Sequence, residues 1–182
     1  MKKLLAFVII SCSVVFAGMQ ILNDDEAKIE LSVAKKYMQS IMQITTLKYD
    51  SSKIQIDENG LEFIDLCKHR IVAGIDYEDK CFINQFDDEA ISGIAKYFIK
   101  AKSIDEAFRI YHKDNNIKLP KSNSYDYGND EGLKGDGVGT WYLWDDEGQL
   151  WLVGRGYDSG SVAIFTQKGE FVEIIYRWNM FW

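Results

Sequence analysis

Apolar and polar residues alternate most regularly between Trp141 and Trp182, the stretch that holds all five tryptophans. In an extended chain, successive side chains point to opposite sides. Trp141 and Leu143 therefore fall on one side and Tyr142 and Trp144 on the other. The same rule separates Leu150 and Leu152 from Trp151 and Val153, and Val162 and Ile164 from Ala163 and Phe165. It also separates Val172, Ile174 and Tyr176 from Phe171 and Ile175. The pattern predicts four strands, Val138–Trp144, Gln149–Val153, Ser161–Thr166 and Glu170–Tyr176. Asp145 to Gly148 and Gln167 to Gly169 end in the glycine that a tight turn favours, and Gly154–Gly160 reads as a wider loop. Both sides of this meander are largely apolar, whereas a sheet with one wet face shows a polar residue at every second position. One face is expected to pack on helices. The other must be covered by loop 121–137, by the remaining helices, or by a partner.

Upstream the period changes. Asn23 can cap a helix, with Asp24, Asp25 and Glu26 in its first turn. Leu31, Ala34, Tyr37, Met38, Ile41 and Met42 then recur at helical spacing, which predicts a helix of about 22 residues. The stretch from Ile54 to Phe63 alternates around Asn59-Gly60, a hairpin signal, yet Leu61, Ile64, Cys67 and Ile71 also form a helical stripe. A short strand at 53–57, a turn and a helix at about 61–73 is the favoured reading. Asp87 opens a further predicted helix with Ile91, Ile94, Ala95 and Phe98 on one face. Ser103-Ile-Asp-Glu106 is a capping box for another, with Ala107, Phe108 and Tyr111 inward. Pro120 marks a boundary, and ten of the 14 glycines follow between Gly128 and Gly169.

The expectation is an α+β chain: three to four N-terminal helices packed on a C-terminal four-stranded antiparallel meander. Residues 1–17 form a signal peptide, 18–120 a helical region and 121–182 an antiparallel β region that shares one globular domain with the helices. Lys2 and Lys3 precede a 13-residue uncharged stretch, Leu4 to Phe16, and Val15 and Ala17 suit a cleavage site. Such a stretch is shorter than the roughly 20 residues that span a bilayer. A lipid anchor at Cys12 is the less favoured alternative. The mature chain is thus expected in the periplasm or secreted by a bacterium, with the membrane involved only through the signal peptide.

Charge narrows the partners. The formal net charge is −7, and residues 121–182 hold 5 basic and 10 acidic side chains. No basic face is visible, which argues against nucleic acid, because phosphate binding needs clustered Lys and Arg. Cys67 and Cys81 are expected to form a disulfide, closing a loop of 15 residues. A metal site at Cys67, His69 and Cys81 would lack an evident fourth ligand. In loop 121–137, Asp126, Asn129, Asp130, Glu131 and Asp136 match no calcium-loop spacing. No cofactor or metal is expected.

No nucleophile elbow is present, and His69 and His112 lie among charges on predicted helices. The chain is therefore read as non-enzymatic. The best local candidate is the loop with Arg155, Tyr157 and Asp158 between glycines. A guanidinium there can grip a carboxylate or phosphate, or it can brace the hairpin by pairing with Asp158. Trp141 and Trp151 join it as speculative binding residues. The expected function is binding of another envelope or exported protein, as an inhibitor or immunity-type antagonist. The alternatives are a glycan- or peptidoglycan-binding or processing protein that stacks sugars on Trp141 or Trp151, and a structural envelope component.

Two short resemblances add little. The tail Tyr176–Trp182 resembles the C-terminal signal of outer-membrane β-barrels, but a barrel needs at least about eight strands. Ser159-Gly160 and Thr166 to Gly169 resemble the two loop motifs of periplasmic inhibitors of C-type lysozyme. The tyrosine expected after Ser-Gly falls on Ala163, and Gln167 interrupts the second motif. That family's function is not carried over.

Overall fold

The computed structural model describes residues 19–39, 48–66, 91–127, 138–157 and 159–180. The predicted signal peptide, Cys12, Cys67, His69, Cys81, Asp158 and most of loop 121–137 lie outside the described residues, as do Ile41 and Met42. The described chain runs β1 (Met19–Ile21), α1 (Asp24–Gln39), β2 (Gln55–Ile56), β3 (Glu62–Asp65) and β4 (Ile91–Lys100). It continues α2 (Ile104–His112), β5 (Ser124–Asp126), β6 (Gly139–Trp144), β7 (Leu150–Arg155), β8 (Ser159–Lys168) and β9 (Phe171–Met180). All strands join one nine-stranded antiparallel sheet of order β1-β5-β6-β7-β8-β9-β4-β3-β2.

This overturns the expected fold class. Among the described residues there are two helices, not three or four at the N-terminus, and the meander β6–β9 is four strands of nine. The helix expected at 61–73 begins as β3, and the helix expected from Asp87 contains β4. The physical reason lies in burial. Ile94 and Phe98 pack on one side of β4 and Tyr97 and Ile99 on the other, so both sides are apolar and the two-residue period is hidden. What remained visible, apolar residues at 91, 94, 95 and 98, mimics a helical stripe. Ser124–Asp126, expected in a loop, forms β5 between β1 and β6.

Two hairpins share one turn chemistry. In Asp57–Gly60 the Asp57 carboxylate accepts from the backbone N–H of Asn59 (2.8 Å) and Leu61 (2.9 Å). In Asp145–Gly148 the Asp145 carboxylate accepts from Glu147 N (3.0 Å) and Gln149 N (2.9 Å). Gly60 (φ 79°) and Gly148 (φ 74°) each take the left-handed position that a side chain resists. The first pairing closes β2 on β3.

The helices cover opposite faces of the sheet. At the start of α1, Asn23 Oδ1 accepts from Glu26 N (2.9 Å), and Glu26 returns the bond to Asn23 N (3.0 Å). Ala27, Ala34 and Met38 of α1 are buried with Trp141, Leu143, Trp151, Val153, Val162 and Ile164. Ser103 caps α2, and Lys113 ends it in the left-handed conformation (φ 52°). Ala107 and Phe108 of α2 are buried with Leu150, Ala163, Phe165, Val172 and Ile174. An aromatic chain extends this second core from β3 to β8. Ring centroids are 5.5 Å apart for Phe63–Tyr97, 5.6 Å for Tyr97–Tyr111 and 5.6 Å for Tyr111–Phe165. Burial, helped by Asp57, Tyr176 and Glu58, pushes the Tyr97 phenol up to about 12.

His112 closes α2 with its ring 4.4 Å from that of Phe108. The residue is exposed overall, but partial desolvation of the ring against Phe108 and Tyr111 holds its pKa below the ordinary value, and Asp114 offsets part of that shift. The unfolded chain regains the ordinary value of about 6.5, so it binds more protons than the folded chain just below that pH. Stability is then complete above pH about 6.5 and falls as acidification proceeds toward the lower folded pKa. Urea midpoints measured across this range should decline with acid, and His112→Gln should remove part of the slope.

Candidate functional site

Arg155 ends β7, opposite Gly160 of β8. The expected wide loop is thus a narrow tip, closed by Gly156 N–H donating to the Ser159 carbonyl (2.8 Å). The Arg155 guanidinium pairs with the Glu30 carboxylate of α1. It also lies over the Trp141 ring, 4.5 Å from its centroid. Trp141 in turn stacks on Tyr125 of β5 at 4.5 Å and 30°, and the Tyr125 hydroxyl donates to the Val138 carbonyl. A planar cation that is weakly hydrated suits this sandwich of indole and carboxylate. Arg155 thus ties the hairpin to α1 through Glu30, while the expected pairing with Asp158 lies outside the described residues.

A second clamp lies on β9. Arg177 is buried, its guanidinium 4.0 Å from the Tyr37 ring centroid, and it donates to the Tyr37 carbonyl. Glu30 and Tyr37 stand seven residues, or about two helical turns, apart on α1. The two arginines thus fix one line of the helix to the sheet. Burial raises the Tyr37 phenol, and Arg177 opposes that shift.

The outer side of α1 is apolar in part. Ile29 is 63% exposed and Val33 49%, and Tyr157 on the neighbouring hairpin tip is 70% exposed. Between helix and hairpin lies a notch of about 130 Å³, bordered by Val33, Tyr37, Arg155, Gly160 and Val162. Gly160 supplies no side chain on the face that Arg155 occupies, which keeps the notch open.

Trp141 and Trp151 are only 6% and 4% exposed, so neither offers a ring face to a sugar. Trp151 borders a groove of about 590 Å³ together with Asp145 and Glu147. Both Asp145 oxygens are occupied, one by the two turn amides and the other by the Trp151 indole N–H (3.0 Å) and Lys35 (3.9 Å). Asp145 is a structural acceptor there, tying the turn to Trp151. Among the described residues, no group of three or more His, Cys, Asp or Glu side chains could hold a metal ion. The two lysozyme-inhibitor-like motifs sit at opposite ends of β8, roughly 25 Å apart along a strand.

Of the residues singled out from sequence, Arg155 and Trp141 come together, Tyr157 stands two residues away, and Trp151 borders a separate groove. Glu30, Tyr125 and Tyr37 were missed. Nothing local marks them, because their partners are 125, 16 and 140 positions away in the chain. Compared with protein-family models, curated proteins and solved structures, the chain matches none.

Proposed function

We propose that this chain is a non-enzymatic binding protein of the bacterial envelope that engages another exported protein, as an inhibitor or immunity-type antagonist would. The observation that carries the reading is the exposed set Ile29, Val33 and Tyr157 on two elements tied together by Glu30 and Arg155. Apolar and aromatic side chains on a braced support lose little conformational freedom on binding. A notch the size of one side chain beside them can receive a partner's anchor residue. The net charge of −7 favours a cationic partner.

The test is capture from envelope extract followed by titration of the captured protein in pure form. The wild-type chain should retain a stoichiometric partner, and Ile29→Asp with Val33→Asp should weaken it by roughly a hundredfold or more. Tyr157→Ala should cost about tenfold. Unchanged affinity in these variants, with melting temperatures equal to wild type, sinks the proposal.

A further inference from the structure

Among the described residues, the second face of the sheet is only partly covered. A nine-residue helix such as α2 is about 13 Å long, whereas ten-residue strands such as β8 and β9 run about 33 Å. α2 lies over Phe165, Val172 and Leu150, at one end. Toward the other end the same face becomes a trough of about 470 Å³. Its floor is Gly154 and Ser161, one wall is Thr140, and the other is Tyr176 and Trp178. The Tyr176 hydroxyl lies near the Ser161 side chain, which opposes the rise of its pKa on burial. Trp178 lies against Gly93 of β4, where a Cβ would come within 2.4 Å of the indole nitrogen. Glycine at 93 thus lets the indole lie low on the sheet beside the trough.

Among the described residues that line the trough, Arg155 alone is charged, and its guanidinium leaves for the opposite face, onto Trp141. An ion would therefore lose its hydration without gaining a counter-charge. An uncharged ligand with one apolar flat side and a hydroxyl-bearing rim matches an aromatic wall facing Ser and Thr hydroxyls. The volume falls within the range of small-molecule sites. We infer that this trough binds a neutral saccharide, with a sugar ring on Trp178 and Tyr176 and its hydroxyls toward Thr140 and Ser161. The trough opens on the sheet face opposite α1 and is not lined by Ile29, Val33 or Tyr157, so either reading can fail without the other.

Tetramers of N-acetylglucosamine and of glucose are the probes, titrated into the full chain while the Trp178 indole N–H is followed by NMR. A saturable shift with at least one tetramer is expected. Trp178→Ala should weaken binding roughly tenfold or more. Thr140→Trp, which fills the trough from its rim, should abolish binding with the melting temperature unchanged, and it decides the matter if Trp178→Ala does not fold. The inference is overturned if neither tetramer binds, if Thr140→Trp binds as wild type does, or if free indole occupies the trough while both sugars fail.

Discussion

Phe108→Ala is expected to lower the unfolding free energy by about 3–5 kcal/mol, the usual range for deleting a fully buried aromatic ring. Phe108 is completely buried, and its ring meets those of Phe165 (6.0 Å), Tyr142 (6.2 Å) and His112 (4.4 Å). α2 is short, so few other contacts can hold it while the vacated space persists. Small domains have about 5–15 kcal/mol in total, so this single change removes a large share. Urea denaturation checks the value. A loss below about 1 kcal/mol would mean that the second face of the sheet is not core at this end, contrary to the packing described.

Gly139→Ala should cost roughly 2–4 kcal/mol and should act on β5 first. Gly139 has φ +148°, and a Cβ there would come within 2.5 Å of the Tyr125 ring and 2.6 Å of the Asp126 carbonyl oxygen. The ring is held by its stacking on Trp141, and the carbonyl belongs to a paired strand, so neither yields to a rotamer change. Relief therefore requires β5 to separate from β6. Amide exchange should accelerate at Ser124–Asp126 before it does in β8. Uniform acceleration across the sheet would count against this order of events.

The contrast between legible and illegible parts follows from these packing facts. The strands β6 to β9 could be read because Trp141, Leu143 and their opposites form two complete sets, each facing its own core. The start of α1 could be read because Asn23 and Glu26 act within one turn. β4 could not, since both its sides carry apolar residues and Lys96 sits inward between Ile94 and Phe98, 3% exposed and 3.2 Å from Glu173. A buried lysine paired with an acid more than seventy positions away breaks the apolar pattern without any local warning. Asp57-Glu-Asn-Gly60 carried the same turn signal as Asp145-Asp-Glu-Gly148. The competing stripe through Leu61 and Ile64 outweighed it. At the candidate site, Arg155 and Trp141 were recognisable as residue types that bind or brace. Which of the two they do depends on Glu30 and on burial, and neither is written near them. Trp178 and Tyr176 looked like tail residues until Gly93, Gly154 and Ser161 were seen to leave space beside them.

The pairing of β4 with β9 has a kinetic consequence. Every rung of that ten-residue ladder joins residues more than seventy positions apart. β9 also closes a tight hairpin with β8, so β4 joins the middle of the sheet only after that C-terminal hairpin exists. Chains dominated by such distant pairings fold in milliseconds to seconds, far more slowly than helical bundles. While the chain waits for β9, apolar β4 lacks its neighbour. That interval, rather than the finished protein, is when this chain is most exposed to aggregation.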